Sequence, residues 1–280
     1  MSRAPRNSRG FPREHALPRL VRGTMRGAFA LLAGVFSTGL GLSFLAAGFT
    51  QAAPLAWFRA HPVPPYAALQ FVFGGIGILS LALGFRWVAL IAGMVVSAAA
   101  SLTLVAYAKG IELGISVPIL GKVVALEAYS PARVTLHIAV SFLLAGLASI
   151  LMSKRNPFGA RSLLVALLGG VVLATGLDMV FGFFAGFKSV YGWGAYARID
   201  LPTGIGFAAV GAGLFALAWR EGVRPGELAP WWLPSVVALG VAAITLFEWQ
   251  GVIFRERNAI QRLTRVQAVL IGNEIRSRLE

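Results

Sequence analysis

The chain has 280 residues, of which 57% are hydrophobic and 13% are charged, and its formal net charge is +14. This balance leaves too little polar surface to coat a soluble globule, so it excludes a water-soluble domain and predicts an integral membrane protein. There is no cysteine in the sequence, which excludes disulfides and thiolate chemistry.

A basic leader precedes the first apolar stretch and sets the expected orientation. This leader, residues 1–26, carries seven arginines, and we expect the whole segment to be disordered. Further basic residues fall in every second loop: Arg86, Lys154, Arg155, Arg161, Arg220 and Arg224. The positive-inside rule therefore predicts a cytoplasmic N-terminus, with the C-terminus on the other side of the membrane. Nucleic acid is the weaker interpretation of this charge, because the leader has no interleaved aromatic platform for bases.

Seven apolar stretches follow the leader, each close to the roughly 20 residues that cross a bilayer as a helix. Their predicted bounds are 27–49, 66–84, 87–108, 134–153, 162–184, 199–219 and 232–251. The predicted fold is therefore an all-α integral membrane domain over residues 27–251 with seven transmembrane helices. All the tryptophans lie at predicted helix ends, where indole rings favour the headgroup level.

Three of these helices share a pattern that indicates an internal repeat. Aligned without gaps, Phe71, Phe142 and Phe207 coincide, and a glycine follows four residues later in each helix. These glycines are Gly75, Gly146 and Gly211. Because residues three and four apart share one helical face, and small residues allow close packing in a bilayer, we favour a packing role over a binding role.

The repeat predicts three related helical hairpins in a pseudo-threefold bundle, with the seventh helix attached. The hairpins span about 27–84, 87–153 and 162–219. The seventh span, 232–251, has no partner in this scheme.

Asp178 is the most informative charged residue, because a carboxylate inside an apolar helix must stay protonated or pair with a cation. Arg133 and Arg198 occupy equivalent positions at the start of the fourth and sixth spans, and Asp200 lies beside Arg198. We expect Asp178 to pair with one of these arginines near the outer surface, with Glu248 close by. Such a pair would either fix the helix packing or form an outward-facing polar pocket; a side chain that reaches the lipid interface is the third alternative.

Residues 252–280 have apolar residues spaced three to five apart between charges, which is typical of an amphipathic helix leaving the membrane. No glycine, proline or turn cluster closes this pattern at Glu280. It therefore predicts the start of a further extracytoplasmic domain in a longer protein, or a homodimer contact between parallel helices. The alternative is a tail that lies on the membrane.

The sequence offers no catalytic constellation. Its histidines are isolated, metal-ligand spacing is absent, and no nucleophile elbow, phosphate-binding loop or kinase signature occurs. All lysines lie outside the seventh span, which excludes a retinal pigment with its Schiff base there. We therefore predict no enzymatic activity, no metal and no cofactor, and a lipid bilayer as the main partner.

Two segments resemble the membrane-embedded N-terminal regions of bacterial multidomain signalling proteins: ARVTLHIAVSFLLAGLASIL and YGWGAYARIDLPTGIGFAAVGAGLFALAW. The last helix is similar to one that leads into the extracytoplasmic CHASE sensor domain of histidine kinases and diguanylate cyclases: LFEWQGVIFRERNAIQRLTRVQAVLIGNEIRSRLE. This resemblance implies a sensory and anchoring input module in the bacterial inner membrane, with its C-terminus on the periplasmic or extracellular side. Such a module passes a small-molecule or periplasmic stimulus to a downstream domain. The alternative is a small repeat-built transporter or channel, favoured by the internal repetition and by Asp178.

Overall fold

The computed structural model describes residues 17–50, 53–60, 63–109, 136–154, 159–184, 201–223, 229–242 and 245. Within these ranges the protein is built from helices and contains no strand. The all-helical prediction is therefore confirmed for the part of the chain that the structure covers.

The helices are numbered in chain order: α1 Leu17–Phe49, α2 Ala56–Ala60, α3 Pro65–Leu83, α4 Arg86–Lys109, α5 Leu136–Ser153, α6 Gly159–Phe184, α7 Leu201–Gly222 and α8 Leu233–Ala242. A 3₁₀ turn at Ala53–Leu55 precedes α2. The bounds of α3 follow from its sequence, since Pro65 needs no hydrogen-bond acceptor in the first turn and Gly84 ends the helix with φ of 91°. Only Gly84 and Phe85 then connect α3 to α4, so these two helices run antiparallel.

Five helices are long and apolar enough to cross a membrane: α1, α3, α4, α6 and α7. Helices of this kind are those of a multi-pass membrane protein. The apolar helical segments His137–Ser153 and Leu233–Ala242 are shorter. Most of the predicted seventh span beyond 242 lies outside the described residues, so a crossing by that segment stays a prediction.

Large apolar side chains cover the outside of the bundle. Trp87 is 78% exposed, and Leu32 and Phe184 are exposed to a similar degree. On a soluble protein a surface of this kind would be an aggregation hazard, whereas hydrocarbon solvates it at no cost. The outer surface of these helices is therefore suited to contact with lipid tails.

Six helices, α1 and α3 to α7, pack as a closed ring. The most extensive contacts join α1 to α3, α4 to α5 and α6 to α7. The ring is completed by contacts of α3 with α4, of α5 with α6 and of α7 with α1. Because α3, α5 and α7 also touch one another, these three helices form the inside of the bundle.

Each of the three closest helix pairs meets at facing glycines. The pairs are Gly75 with Gly34, Gly146 with Gly93 and Gly211 with Gly169. A Cβ atom added to the first glycine of each pair would lie 2.7, 2.9 and 2.7 Å from the carbonyl oxygen of the second. Only glycine allows backbones to approach this closely, and close approach replaces the hydrophobic driving force that a bilayer does not supply. The three pairs thus use the same packing device.

Candidate functional site

Three phenylalanine rings meet where the inner helices come together. Phe71 of α3, Phe142 of α5 and Phe207 of α7 are each at most 2% exposed. The ring centroids lie 4.9 Å apart for the first two, 5.2 Å for the first and third, and 4.7 Å for the last two. Tilted ring pairs of this kind add about 0.5–1.5 kcal/mol beyond their burial. We call these three residues the phenylalanine layer; it fills the core at this level.

The residue before each phenylalanine is different in the three helices. It is Gln70 in α3, Ser141 in α5 and Gly206 in α7, and all three are buried. Sterics require the glycine, because a Cβ atom on Gly206 would lie 2.6 Å from the ring of Phe71. One sequence position therefore carries a large amide, a small hydroxyl and no side chain on three neighbouring helices.

Gln70 stands out because its polar group is buried without compensation. It is 4% exposed, and neither its amide nitrogen nor its amide oxygen has a hydrogen-bond partner among the described residues. Two hydroxyl groups in the bundle, those of Thr38 and Ser149, avoid this cost locally, because they donate to the carbonyl oxygens four residues earlier, at 2.8 and 3.0 Å. The buried hydroxyl of Ser97 has no such partner within the ranges that the structure covers. An unsatisfied buried amide costs about 1–3 kcal/mol, so packing alone does not account for a glutamine here.

Tyr66 lies one turn before Gln70 on the same side of α3. Its hydroxyl group is also buried and has no hydrogen-bond partner in the described part of the chain. The matching residues, five before each phenylalanine, are His137 in α5 and Pro202 in α7. The α3 helix therefore presents two neutral groups, each able to donate and accept, where α7 has proline and glycine.

Asp178, the predicted centre of an ion pair, is buried in α6 with 3% of its surface exposed. The next residue, Met179, packs against α7, where a Cβ atom on Gly204 would lie 2.9 Å from the Cβ of Met179. The other predicted site residues, Arg133, Arg198, Asp200 and Glu248, lie outside the described residues. The burial of Asp178 keeps both a structural pair and a polar pocket open, and the pairing stays a prediction.

Charged residues gather at one end of the bundle, which we call the basic end: Arg86, Lys154, Arg161, Arg220 and Glu221. Glu221 is bridged by Arg86 at 3.6 Å and by Arg161, which also donates to the carbonyl oxygen of Lys154. Glu221 thereby ties the starts of α4 and α6 to the end of α7. Because the pair with Arg86 is partly exposed, its contribution is at most about 1 kcal/mol, so it aligns helix ends more than it stabilises them.

The sequence pattern singled out the phenylalanines and glycines as a packing face, and the structure brings the three rings into contact. It did not single out Gln70, Tyr66 or Glu221. A signal existed for Gln70, since no other glutamine falls within the first six predicted spans. No such signal marks Glu221, because its partners come from two distant helix starts.

The described residues contain no group of three histidine, cysteine, aspartate or glutamate side chains that could hold a metal ion. Comparison with protein-family models, with curated proteins and with solved structures finds no match to this chain. The resemblance to bacterial sensor regions therefore rests on the sequence segments that carry it and stays a prediction.

Proposed function

We propose that this chain is a membrane-embedded sensory and anchoring input module of a bacterial signal-transduction protein. The observation that carries the proposal is the pairing of a filled phenylalanine layer with two unsatisfied polar side chains, Tyr66 and Gln70, on its N-terminal side along α3. The packed rings fill the core where a conducting pathway would have to pass, whereas a receptor needs polar groups only where its ligand binds. The packed aromatic core favours the receptor.

A sensor needs two helix packings of nearly equal free energy. The buried amide of Gln70 is a source of such a balance, because its cost of about 1–3 kcal/mol is recovered in any state that gives it a partner. A ligand or a small helix movement can provide that partner. A free-energy difference of this size shifts a two-state equilibrium about 5–150-fold, which is enough for signalling.

The chemistry of the two side chains limits the stimulus. Tyr66 and Gln70 are neutral, and each can donate and accept a hydrogen bond. The matching ligand is a small neutral molecule with both a donor and an acceptor group. It would enter from the end of the bundle opposite the basic end, which the positive-inside rule assigns to the extracytoplasmic side.

The output would leave through α8 and the amphipathic helix predicted at 252–280. Trp232, which precedes α8, is buried, and its ring centroid lies 6.1 Å from that of Phe215 in α7. A shift of α7 would therefore displace the start of α8 through this contact. In this proposal the movement of α8 reaches a downstream CHASE-type sensor domain, which is followed by a kinase or cyclase.

Distance measurements between spin labels test the two-state proposal. The chain has no cysteine, so Leu102→Cys on α4 and Val237→Cys on α8, both exposed, give one labelled pair without background. In lipid nanodiscs we expect two distance populations whose ratio changes in Gln70→Leu. The matched control is Ser149→Ala, which removes a buried polar group that is already satisfied and should leave the ratio unchanged. A single distance, identical in wild type and Gln70→Leu, contradicts the proposal.

Topology is tested by fusing alkaline phosphatase or a green fluorescent protein after Glu280. We expect the phosphatase fusion to be active and the fluorescent fusion dark, because seven crossings place that end outside the cytoplasm. The reverse pattern would remove the extracytoplasmic sensor domain from the proposal.

A small transporter or channel is the second candidate, and the deep burial of Asp178 favours it, since ionisable residues inside membrane helices often mark ion pathways. Proteoliposomes loaded with a pH-sensitive or sodium-sensitive dye distinguish the two. A sensor gives no flux above empty vesicles. Flux that is lost in Asp178→Asn supports transport and contradicts the sensor.

A further inference from the structure

A cleft of about 370 Å³ opens on the lipid-facing side of the bundle, between α1 and α6 and next to α7. Met25 and Phe29 of α1 and Leu173 of α6 line it, and the two α1 side chains are exposed. The remaining lining residues come from the last two turns of α7 and the turn before them. The cleft therefore lies in the half of the bundle that ends at the basic end.

Small residues of α7 leave the space for this cleft. Ala212 and Ala216 line it, five and nine residues after Phe207. The residue five after the phenylalanine is Ile76 in α3 and Leu147 in α5. Nine residues after it, α5 has Leu151. At the first of these positions α3 and α5 thus carry larger side chains than α7, and at the second α5 does, whereas α3 has the small Ser80 there.

A cation stands at the end of the cleft. Arg220 directly follows the lining residue Trp219, and a Cβ atom on Gly27 of α1 would lie 3.4 Å from one of its guanidinium nitrogens. Glu221, the nearest carboxylate in sequence, is bridged by Arg86 and Arg161. Within the part of the chain that the structure describes, Arg220 has no carboxylate within salt-bridge distance.

We propose that the cleft holds one acyl chain of an anionic phospholipid, whose phosphate pairs with Arg220. The apolar cleft lies within the span, where the acyl chain of a lipid lies, and Arg220 lies at its end, where the phosphate lies. A guanidinium group can also hold a phosphate by two parallel hydrogen bonds. Trp219 adds an indole ring at the level where such rings favour the headgroup region.

Charge complementarity decides among the occupants. A second copy of the chain or another membrane protein would place an apolar helix in the cleft and would leave Arg220 without a counter-charge. A zwitterionic lipid would bring its own cation close to Arg220. An anionic headgroup alone supplies a net negative charge at the mouth, and bilayer leaflets rich in such lipids attract basic residues.

The test measures lipid retention by native mass spectrometry. Protein purified in detergent is incubated with palmitoyl-oleoyl phosphatidylglycerol or with the phosphatidylcholine of the same chains. We expect one tightly retained phosphatidylglycerol per chain, and about fivefold weaker retention in Arg220→Gln, as for the loss of one cation at a lipid surface. The control Lys154→Gln removes an exposed cation from the same end of the bundle and should retain the lipid as wild type does.

Filling the cleft tests the acyl-chain half of the proposal. Ala212→Leu with Ala216→Leu copies the residues found at the matching positions of α5 and should abolish retention of phosphatidylglycerol. Arg220→Gln leaves the lining residues of the cleft unchanged, so the proposal can be judged even if the double variant does not fold. Equal retention of both lipids in wild type and Arg220→Gln overturns it. Loss of a dimer mass on filling the cleft also overturns it, in favour of a second copy.

Discussion

The phenylalanine layer differs from the three buried residues that directly precede it in the sequence, which we call the second layer. In the first layer the same residue comes from three helices, and the rings contact one another. In the second layer Gln70, Ser141 and Gly206 take the three equivalent places. The comparison suggests that identical positions hold the bundle together, while the differing ones are free to carry polar chemistry. Variants of each layer should therefore change different properties.

The largest expected effect comes from removing one ring of the phenylalanine layer. Phe142→Ala removes a ring that contacts both Phe71 and Phe207 and leaves a cavity at the centre of the bundle. Since the unfolded helices are also in hydrocarbon, the cost is the lost packing without the transfer from water, about 3 kcal/mol, at the lower end for such truncations. The free energy of unfolding in mixed micelles under increasing SDS measures it.

The control for the ring is Phe184→Ala, since Phe184 projects from the end of α6 and is exposed. Its truncation should change the free energy of unfolding by a few tenths of a kcal/mol at most. Equal losses in Phe142→Ala and Phe184→Ala would mean that the layer is not what holds the inner helices together.

The next effect concerns the glycine contacts beside the layer. In Gly75→Ala the new methyl group would meet the backbone of α1, 2.7 Å from the carbonyl oxygen of Gly34, so α1 and α3 must separate. We expect a loss of about 2 kcal/mol, which is typical of overpacking. The neighbouring glycine is a matched control, because a Cβ on Gly74 meets no atom within 4 Å.

Gly74→Ala should be neutral or stabilise α3 slightly, by up to about 1 kcal/mol, since alanine favours the helix. If both alanine variants behave alike in SDS unfolding, the measured change reports helix propensity and the close backbone contact carries no weight.

Regular features of the sequence predicted the membrane helices, because apolar length and small-residue spacing are local properties. Helix bounds agree within a few residues at α3, α4, α6 and α7, and the candidate span Gly27–Gly48 agrees within α1, although that helix itself begins at Leu17, inside the predicted leader. The aligned positions alone do not predict that the three phenylalanines touch, because the contact also depends on a threefold arrangement of the helices. Gln70 was missed because its importance is the absence of a partner, which depends on every neighbouring helix. Glu221 was missed for the related reason that its arginines come from α4 and α6.

A smaller effect, of opposite sign, is expected in the second layer. Gln70→Leu replaces an unsatisfied amide by an apolar side chain of similar size, so the free energy of unfolding should rise by about 1 kcal/mol. A functional site commonly costs stability in this way, and the same variant should change the ratio of the two distance populations between the spin labels. Reduced stability in Gln70→Leu would show that the amide is satisfied in the membrane and would weaken the sensor proposal.

The smallest effect belongs to the basic end, where solvent competes with every charge pair. Glu221→Gln removes the acceptor shared by Arg86 and Arg161, but these groups are partly exposed, so the loss should stay below about 1 kcal/mol. It should also shrink between about 0.01 and 1 M salt, because the screening length falls from about 30 to 3 Å. Unfolding of wild type and Glu221→Gln at both salt concentrations measures this difference. A loss that exceeds that of Phe142→Ala and persists at high salt would place the main stabilising contact at the helix ends and not in the aromatic core.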